Sequence, residues 1–292
     1  MKILVLGADG MLGHRVYIHG KLAGLDIFGT VRKTDALKRK FKRSLLGNIM
    51  PDVDAYDLDA FEKHFADLKP NVIINCIGLV KQLPESNDPE KAIYLNSLFP
   101  HKIARLSRKY KARLVHLSTD CVFSGKSGNC SESDPADPNE LYGLSKLLGE
   151  VSGDNSVTIR TSLIGHQLKG KRGLLEWFLS QKKSIKGFKN VYFNGLSTNE
   201  FARVIFDFIL PNRDISGLFN VSSKKISKYD LLCLIARKYK KKIKIIPAGK
   251  PVCDRSLNSE KFRKKTGYLA PEREEIVSEM YNRHIYEKKT SN

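Results

Sequence analysis

The feature that most constrains this chain is Gly7-Ala8-Asp9-Gly10-Met11-Leu12-Gly13, three glycines in GxxGxxG spacing close to the amino end. The loop follows an apolar run over 2–7 and opens a stretch over 11–22 whose apolar residues recur at helical intervals. Glycines at such a strand-to-helix turn let the backbone approach a pyrophosphate, which then rests on the free amides of the helix start. A turn that merely reversed the chain would not need all three. Gly7, Gly10 and Gly13 are therefore candidate cofactor-binding positions.

The first half of the chain continues in the same rhythm. Strand candidates at 25–31, 71–77, 113–118 and 156–160 alternate with helical patterns at 60–68, 89–110 and 141–150. The run at 71–77 (NVIINCI) is apolar without alternation, as strands covered on both faces are. Strands separated by helices imply right-handed crossovers and a parallel sheet. After Thr161 the alternation lapses: helical patterns at 174–181, 200–210 and 271–286, strands at 217–222 and 242–247, and a helix at 227–239 opened by a serine cap. The expectation is an α/β fold, a Rossmann-type doubly wound parallel sheet with a smaller C-terminal α/β substrate lobe. Residues 1–160 would form the dinucleotide-binding domain, with a segment returning to it near 195–212, and 161–292 mainly the substrate lobe.

At the end of the second strand stand Arg32 and Lys33. An acidic residue there would take the ribose hydroxyl of NAD, whereas a basic pair can accept the 2′-phosphate of NADP. NADP, as NADPH, is the expected cofactor and NAD the second candidate. The formal charge of +20 reads as basic faces that also steer phosphate-bearing ligands. No recognition helix, zinc-finger spacing or aromatic RNA platform accompanies it, so nucleic acid is not expected. The opening apolar run is too short for a signal peptide, and no window reaches membrane-span length. The five cysteines lack CxxC spacing and read as free buried thiols. A cytoplasmic protein without membrane insertion is expected.

Tyr142-Gly143-Leu144-Ser145-Lys146 sets a phenol and an ammonium one helical turn apart. A phenol of pKa about 10 is a poor acid-base group at neutral pH. A nearby ammonium, with the positive nicotinamide of a bound cofactor, would favour the phenolate. Upstream, Ser118-Thr119-Asp120 ends a buried strand at the edge where α/β sheets place ligands, so Thr119 can hydrogen-bond a substrate carbonyl. His14 and His116 have no partners at metal-ligand spacing, and no metal is expected. Ser118 and Ser145 lack the histidine and carboxylate of nucleophilic catalysis.

On these residues the chain resembles the extended short-chain dehydrogenase/reductases, within them the dTDP-4-dehydrorhamnose reductase-like family. The matching pieces are GADGMLG, Asp57-Leu58, INCIG at 74–78, Leu95-Asn96, STDCVFSG at 118–125, YGLSK, IRTS at 159–162 and DRSLNSEKF at 254–262. The resemblance implies Thr119, Tyr142 and Lys146 as the catalytic trio, with Tyr142 the proton donor and Lys146 also holding the nicotinamide ribose. It implies Asn96 as support for a proton relay, with a plain helix-interior asparagine as the equal alternative. Gly10, Met11 and Leu12 would contact the diphosphate. Asp57 and Leu58 would flank the adenine, Ile77 and Gly78 would line the path to the nicotinamide, and Asp120 would touch the sugar.

Three positions depart from the pattern. Leu163 stands where rhamnose-forming members carry an aromatic that stacks on the sugar, Ser197 replaces a proline, and Cys121 replaces a frequent tyrosine. The substrate implied is thus a 4-keto nucleotide-diphospho-deoxysugar, dTDP-4-dehydrorhamnose or a UDP-linked N-acetylated relative, in surface-polysaccharide precursor synthesis. Epimerisation or dehydration with tightly held NAD, and a non-catalytic NADP-binding regulatory subunit, are the alternatives. Family members sometimes form homodimers.

Overall fold

The computed structural model describes residues 1–290, with side chains to 287. Six strands succeed one another in the first half: β1 (Ile3–Leu6), β2 (Ile27–Thr30), β3 (Ile49–Met50), β4 (Val72–Asn75), β5 (Arg113–Leu117) and β6 (Ser156–Arg160). Beyond them lie β7 (Leu163–Ile164), β8 (Ile185–Phe188), β9 (Tyr192–Phe193), β10 (Leu196–Ser197), β11 (Gly217–Asn220), β12 (Ile226–Ser227) and β13 (Ile245–Ala248). One seven-stranded sheet runs β11-β6-β5-β4-β1-β2-β3, parallel throughout. The remaining strands form three two-stranded pairs, β10 with β7, β12 with β9 and β13 with β8. The doubly wound sheet and the loss of alternation after Thr161 are both as the sequence predicts.

Every residue of β1, β4, β5 and β6 is buried, because helices cover both faces of the sheet. On one face Ile3, Val5 and Ile74 pack with Val16, Phe201 and Phe219. On the other, Leu4, Leu6 and Ile73 pack with Phe61, Phe65, Phe99 and Ile103. A third cluster, with Phe178, Ile185, Leu231, Ile235 and Met280, lies outside the sheet and uses late segments only.

The helices are α1 (Gly13–Leu22), α2 (Asp35–Lys38), α3 (Leu58–Leu68), α4 (Pro89–Ile93), α5 (Phe99–Lys109), α6 (Leu141–Leu148), α7 (Leu174–Ser180), α8 (Thr198–Val204), α9 (Lys228–Lys238), α10 (Glu260–Thr266) and α11 (Arg273–Thr290). The helix expected over 89–110 is not uniform: a π turn, Tyr94–Leu98, separates α4 from α5. Pro100 is the cause, since it has no amide to give the Asn96 carbonyl four residues back, and the Phe99 amide reaches Tyr94 instead. The pattern over 200–210 likewise begins as α8 and ends as a π turn, Ile205–Ile209. Helix α8 lies against α1, and β11 extends the sheet beside β6. Among the described residues, no helix is long and apolar enough to cross a membrane.

Candidate active site

In the sheet β1 lies between β2 and β4, with Leu6 in register with both Thr30 and Asn75. The chain leaves β1 toward β2 and later returns on the other side, which opens a crevice at the carboxyl ends of β1 and β4. The glycine loop fills its floor. Gly7 has a left-handed φ of +74°, and a β-carbon there would lie 2.9 Å from Ile77 Cγ1. A β-carbon on Gly13 would lie 2.0 Å from the Gly7 carbonyl oxygen, so α1 begins pressed against the turn. The Gly10 amide donates to the Gly7 carbonyl at 3.0 Å and the His14 amide to the Gly10 carbonyl at 3.2 Å. Among the described residues no acceptor takes the amides of Met11 and Leu12, which leaves the helix start free to receive an anion. The loop thus fits the diphosphate of a dinucleotide.

Arg32 and Lys33 follow β2 and are exposed. Asp57 is exposed too, and its carboxylate caps α3 by accepting the Ala60 amide at 3.0 Å; half-buried Leu58 opens that helix. Beyond β4, the Ile77 amide donates to Asn75 Oδ1 at 3.1 Å. A β-carbon on Gly78 would stand 3.3 Å from Asn96 Oδ1 and 3.8 Å from Lys146 Nζ, so these three residues converge.

Asn96 is fully buried in the π turn. Its Oδ1 accepts the Leu79 amide at 2.8 Å, and its Nδ2 donates to the Leu79 carbonyl at 3.0 Å and to Ser145 Oγ at 3.2 Å. The Ser97 hydroxyl donates to the Ser145 carbonyl at 2.7 Å. The π turn therefore clamps the segment after β4 to α6.

Helix α6 meets the turn after β5 at close quarters. A β-carbon on Gly143 would lie 2.1 Å from the Cys121 carbonyl oxygen. This approach sets Tyr142 beside the buried Thr119, whose hydroxyl has both the phenol and Asp120 Oδ1, at 3.1 Å, as partners. One turn on, the Lys146 ammonium is buried and donates to the Leu117 carbonyl. Thr119, Tyr142 and Lys146 are thus together at the carboxyl edge of β5, with Asn96 and Gly78 behind the lysine. Leu163, half-buried in β7, pairs with Leu196.

The electrostatics differ from expectation in one respect. Burial, Cys121 and Asp120 hold the Tyr142 phenol above its usual range, and the hydrogen bond shared with Thr119 is the opposing influence. The lowering expected from Lys146 is not among the influences on the phenol; the ammonium itself donates to the Leu117 carbonyl. Burial draws the lysine itself down to about 8 against the pull of Glu150 and Cys76. Asp120 is raised by burial, partly offset by Thr119 and Arg255.

Some neighbours of the site had no simple signal in the sequence. Glu150 accepts the Ser118 hydroxyl at 2.6 Å and binds Arg160 through both oxygens, at 2.7 and 2.8 Å. Arg255, inside the DRSLNSEKF stretch, donates to Cys121 Sγ at 3.5 Å and to Asn139 Oδ1 at 3.2 Å. All five cysteines are free; Cys130 is buried and the other four are half-buried, against the expectation of buried thiols throughout. Buried His116 meets Asn75 Nδ2 at 3.2 Å, and burial lowers its pKa. Among the described residues no three His, Cys, Asp or Glu side chains are grouped to hold a metal.

Comparison with known proteins agrees with this architecture. The family described as RmlD substrate binding domain matches residues 1–283. The spore coat polysaccharide biosynthesis protein SpsK of Bacillus subtilis is 29% identical over 171 residues, 56% of this chain and 54% of that protein. The methionine adenosyltransferase 2 subunit beta of Danio rerio is 26% identical over 250 residues, 80% of this chain and 73% of that one. The match to SpsK thus spans about half of its length. Among solved structures, the dTDP-4-dehydrorhamnose reductase of Bacillus anthracis in complex with NADP has a TM-score of 0.79 at 19% identity, covering 97% of this chain and 99% of that one. The Bordetella bronchiseptica enzyme WbmG in complex with NAD has a TM-score of 0.77 at 18% identity, covering 100% and 95%.

Proposed function

This chain belongs to the RmlD substrate-binding-domain family, the dTDP-4-dehydrorhamnose reductase-like branch of the extended short-chain dehydrogenase/reductases, and on that premise we propose that it reduces a 4-keto nucleotide-diphospho-deoxysugar with NADPH. The observation that carries the reading is the convergence of Thr119, Tyr142 and Lys146 at the end of β5, beside a glycine loop with free amides. The cofactor, when bound, supplies the hydride. The chain's own residues do the rest. Thr119 orients the carbonyl by donating to its oxygen. Tyr142 protonates that oxygen as it gains negative charge, and its raised pKa suits a donor that must hold its proton until then. Lys146 holds the nicotinamide ribose in this reading and so fixes the reacting partners.

NADPH is favoured over NADH by Arg32 and Lys33 at the end of β2, and the B. anthracis relative carries NADP; NAD is the second candidate, as WbmG carries it. In this reading Met11 and Leu12 take the diphosphate, Asp57 and Leu58 flank the adenine, Ile77 and Gly78 line the nicotinamide pocket, and Asp120 and Leu163 face the sugar. Residues 1–160 make the cofactor domain and 161–292 mainly the substrate lobe. Where dTDP-linked rhamnose precursors would meet an aromatic, Leu163 offers only an aliphatic wall, so UDP-linked N-acetylated 4-ketosugars stand as equal substrates.

The test mixes purified protein with dTDP- and UDP-4-ketosugars and follows NADPH absorbance. Oxidation with one of them supports reduction; silence across the panel removes it. An epimerase or dehydratase would return its hydride and show no net NADPH loss. A regulatory subunit is a second reading, favoured by the long match to methionine adenosyltransferase 2 subunit beta. Such a protein would bind the dinucleotide and consume none with any sugar.

A further inference from the structure

The phosphate loop carries a charge that a loop for diphosphate does not want. Asp9 is the only acidic residue in Gly7–Gly13. Its carboxylate stands between the first two glycines, close in sequence to the free Met11 and Leu12 amides. Alone it would repel the ligand those amides attract. It is not alone: Asp9 Oδ2 lies 2.9 Å from the Lys169 ammonium, 160 residues later.

Lys169 is held out to the loop by a small excursion of the chain beyond β7. The Gly173 amide donates to the Gln167 side-chain oxygen at 2.8 Å, which closes the base of the excursion. Gly170 turns its tip with a φ of +80°. Lys169, Lys171 and Arg172 sit on this tip, all exposed. The lysine side chain is 55% exposed and the aspartate 22%. A pair so open to water contributes little to folding stability. Its field at the neighbouring amides is another matter, since a carboxylate there acts on a ligand of the same sign at short range.

We propose that Lys169 is a positioning residue of the dinucleotide site: from the second lobe it neutralises Asp9, and so allows the glycine loop to accept an anionic diphosphate. The inference rests on the reading of Gly7–Gly13 as the dinucleotide loop. Lys169 acts through Asp9 rather than on the ligand, and this makes it separable from an ordinary phosphate-binding lysine.

NADPH fluorescence titrations of the full chain test it, using wild type, K169Q, K169R, D9N and D9N/K169Q. Loss of the lysine alone should weaken NADPH by about five- to thirtyfold, the range expected from one uncompensated charge in a half-exposed loop. K169R should bind like wild type. D9N should bind at least as tightly as wild type, and adding K169Q to D9N should change affinity by less than about threefold, because the charge to be cancelled is gone. The K169Q deficit should also shrink as salt rises. An equal loss from K169Q in both backgrounds would overturn the proposal, as would unaltered binding by K169Q itself. A wild type that binds no dinucleotide removes the cofactor reading and this inference together, whereas a binding wild type with an indifferent K169Q sinks the inference alone.

Discussion

Gly143 and the carbonyl oxygen of Cys121 approach each other so closely that a β-carbon at 143 would stand 2.1 Å from that oxygen and 3.0 Å from Pro138 Cβ. This contact lets α6 seat against the turn after β5, and it determines where Tyr142 meets Thr119. The glycine between the tyrosine and the lysine is therefore a steric requirement of the site.

Replacing Gly143 by alanine should push α6 away from the turn. The obstacle is backbone rather than a flexible side-chain end, so the strain should destabilise the fold by about 2 kcal/mol or more. If the chain is the reductase proposed, its turnover should fall further than stability explains, because Tyr142 and Thr119 separate. Chemical denaturation and steady-state kinetics on G143A check both parts. A variant with wild-type midpoint and turnover would mean that the approach has no bearing on the site.

Tyr142→Phe removes the phenol oxygen and keeps the ring. The fold and NADPH affinity should persist, while turnover should drop by about 10²–10⁴, the usual contribution of a positioned proton donor. Titration and stopped-flow absorbance measure the two quantities. Retained turnover would be fatal to the role given to the phenol.

Lys146 has a consequence for stability versus pH. Its folded-state pKa is about 8 against an ordinary 10.5, lowered chiefly by burial. Below about pH 8 the ammonium is charged in both folded and unfolded chains, and its burial destabilises the fold by roughly 3 kcal/mol. Between about 8 and 10.5 the folded chain releases the proton while the unfolded chain keeps it, so stability from this group rises with pH. Lys146→Met should then be more stable than wild type at pH 7, inactive, and progressively less advantaged up to about pH 10.5. Urea midpoints of both proteins at pH 7 and about pH 9.5 decide it; a gap that stays constant or widens contradicts the sign.

The sequence made some of this arrangement legible and hid the rest for physical reasons. Strands buried on both faces read as short β-branched and apolar segments between helical patterns, nearly unbroken in β1 and β4 and interrupted by Arg113, His116, Ser156, Thr158 and Arg160 in β5 and β6, and all four are legible within a residue or two. The two-residue strands β7, β9, β10 and β12 carry no period to detect, since each exists only through its partner. The π turn around Asn96 follows from Pro100, a local signal, yet its purpose is tertiary: a β-carbon at Gly149 would lie 1.8 Å from the Asn96 carbonyl oxygen. Tyr142 and Lys146 could be paired by helical spacing, but the Leu117 carbonyl that occupies the ammonium is 29 residues away and invisible to spacing. Asp9 and Lys169 illustrate the same limit.

Cofactor choice falls to the residues beyond the end of β2. Arg32 and Lys33 are exposed beyond the end of β2, in a chain already carrying +20, so charge alone would make them two cations among many. Their place argues otherwise, since the second strand of a dinucleotide fold ends at the adenosine ribose. If they receive a 2′-phosphate, R32A/K33A should weaken NADPH by about ten- to hundredfold, the effect of losing charge-assisted hydrogen bonds. NADH, which lacks that phosphate, should lose less than about threefold from the diminished general field. Thermal midpoints should hold, because exposed side chains away from caps and cores seldom matter to stability. Parallel titrations with both nucleotides at two salt concentrations separate the cases. Equal losses for NADPH and NADH, erased by salt, would reduce the pair to general attraction and leave the preference to be sought elsewhere in the crevice.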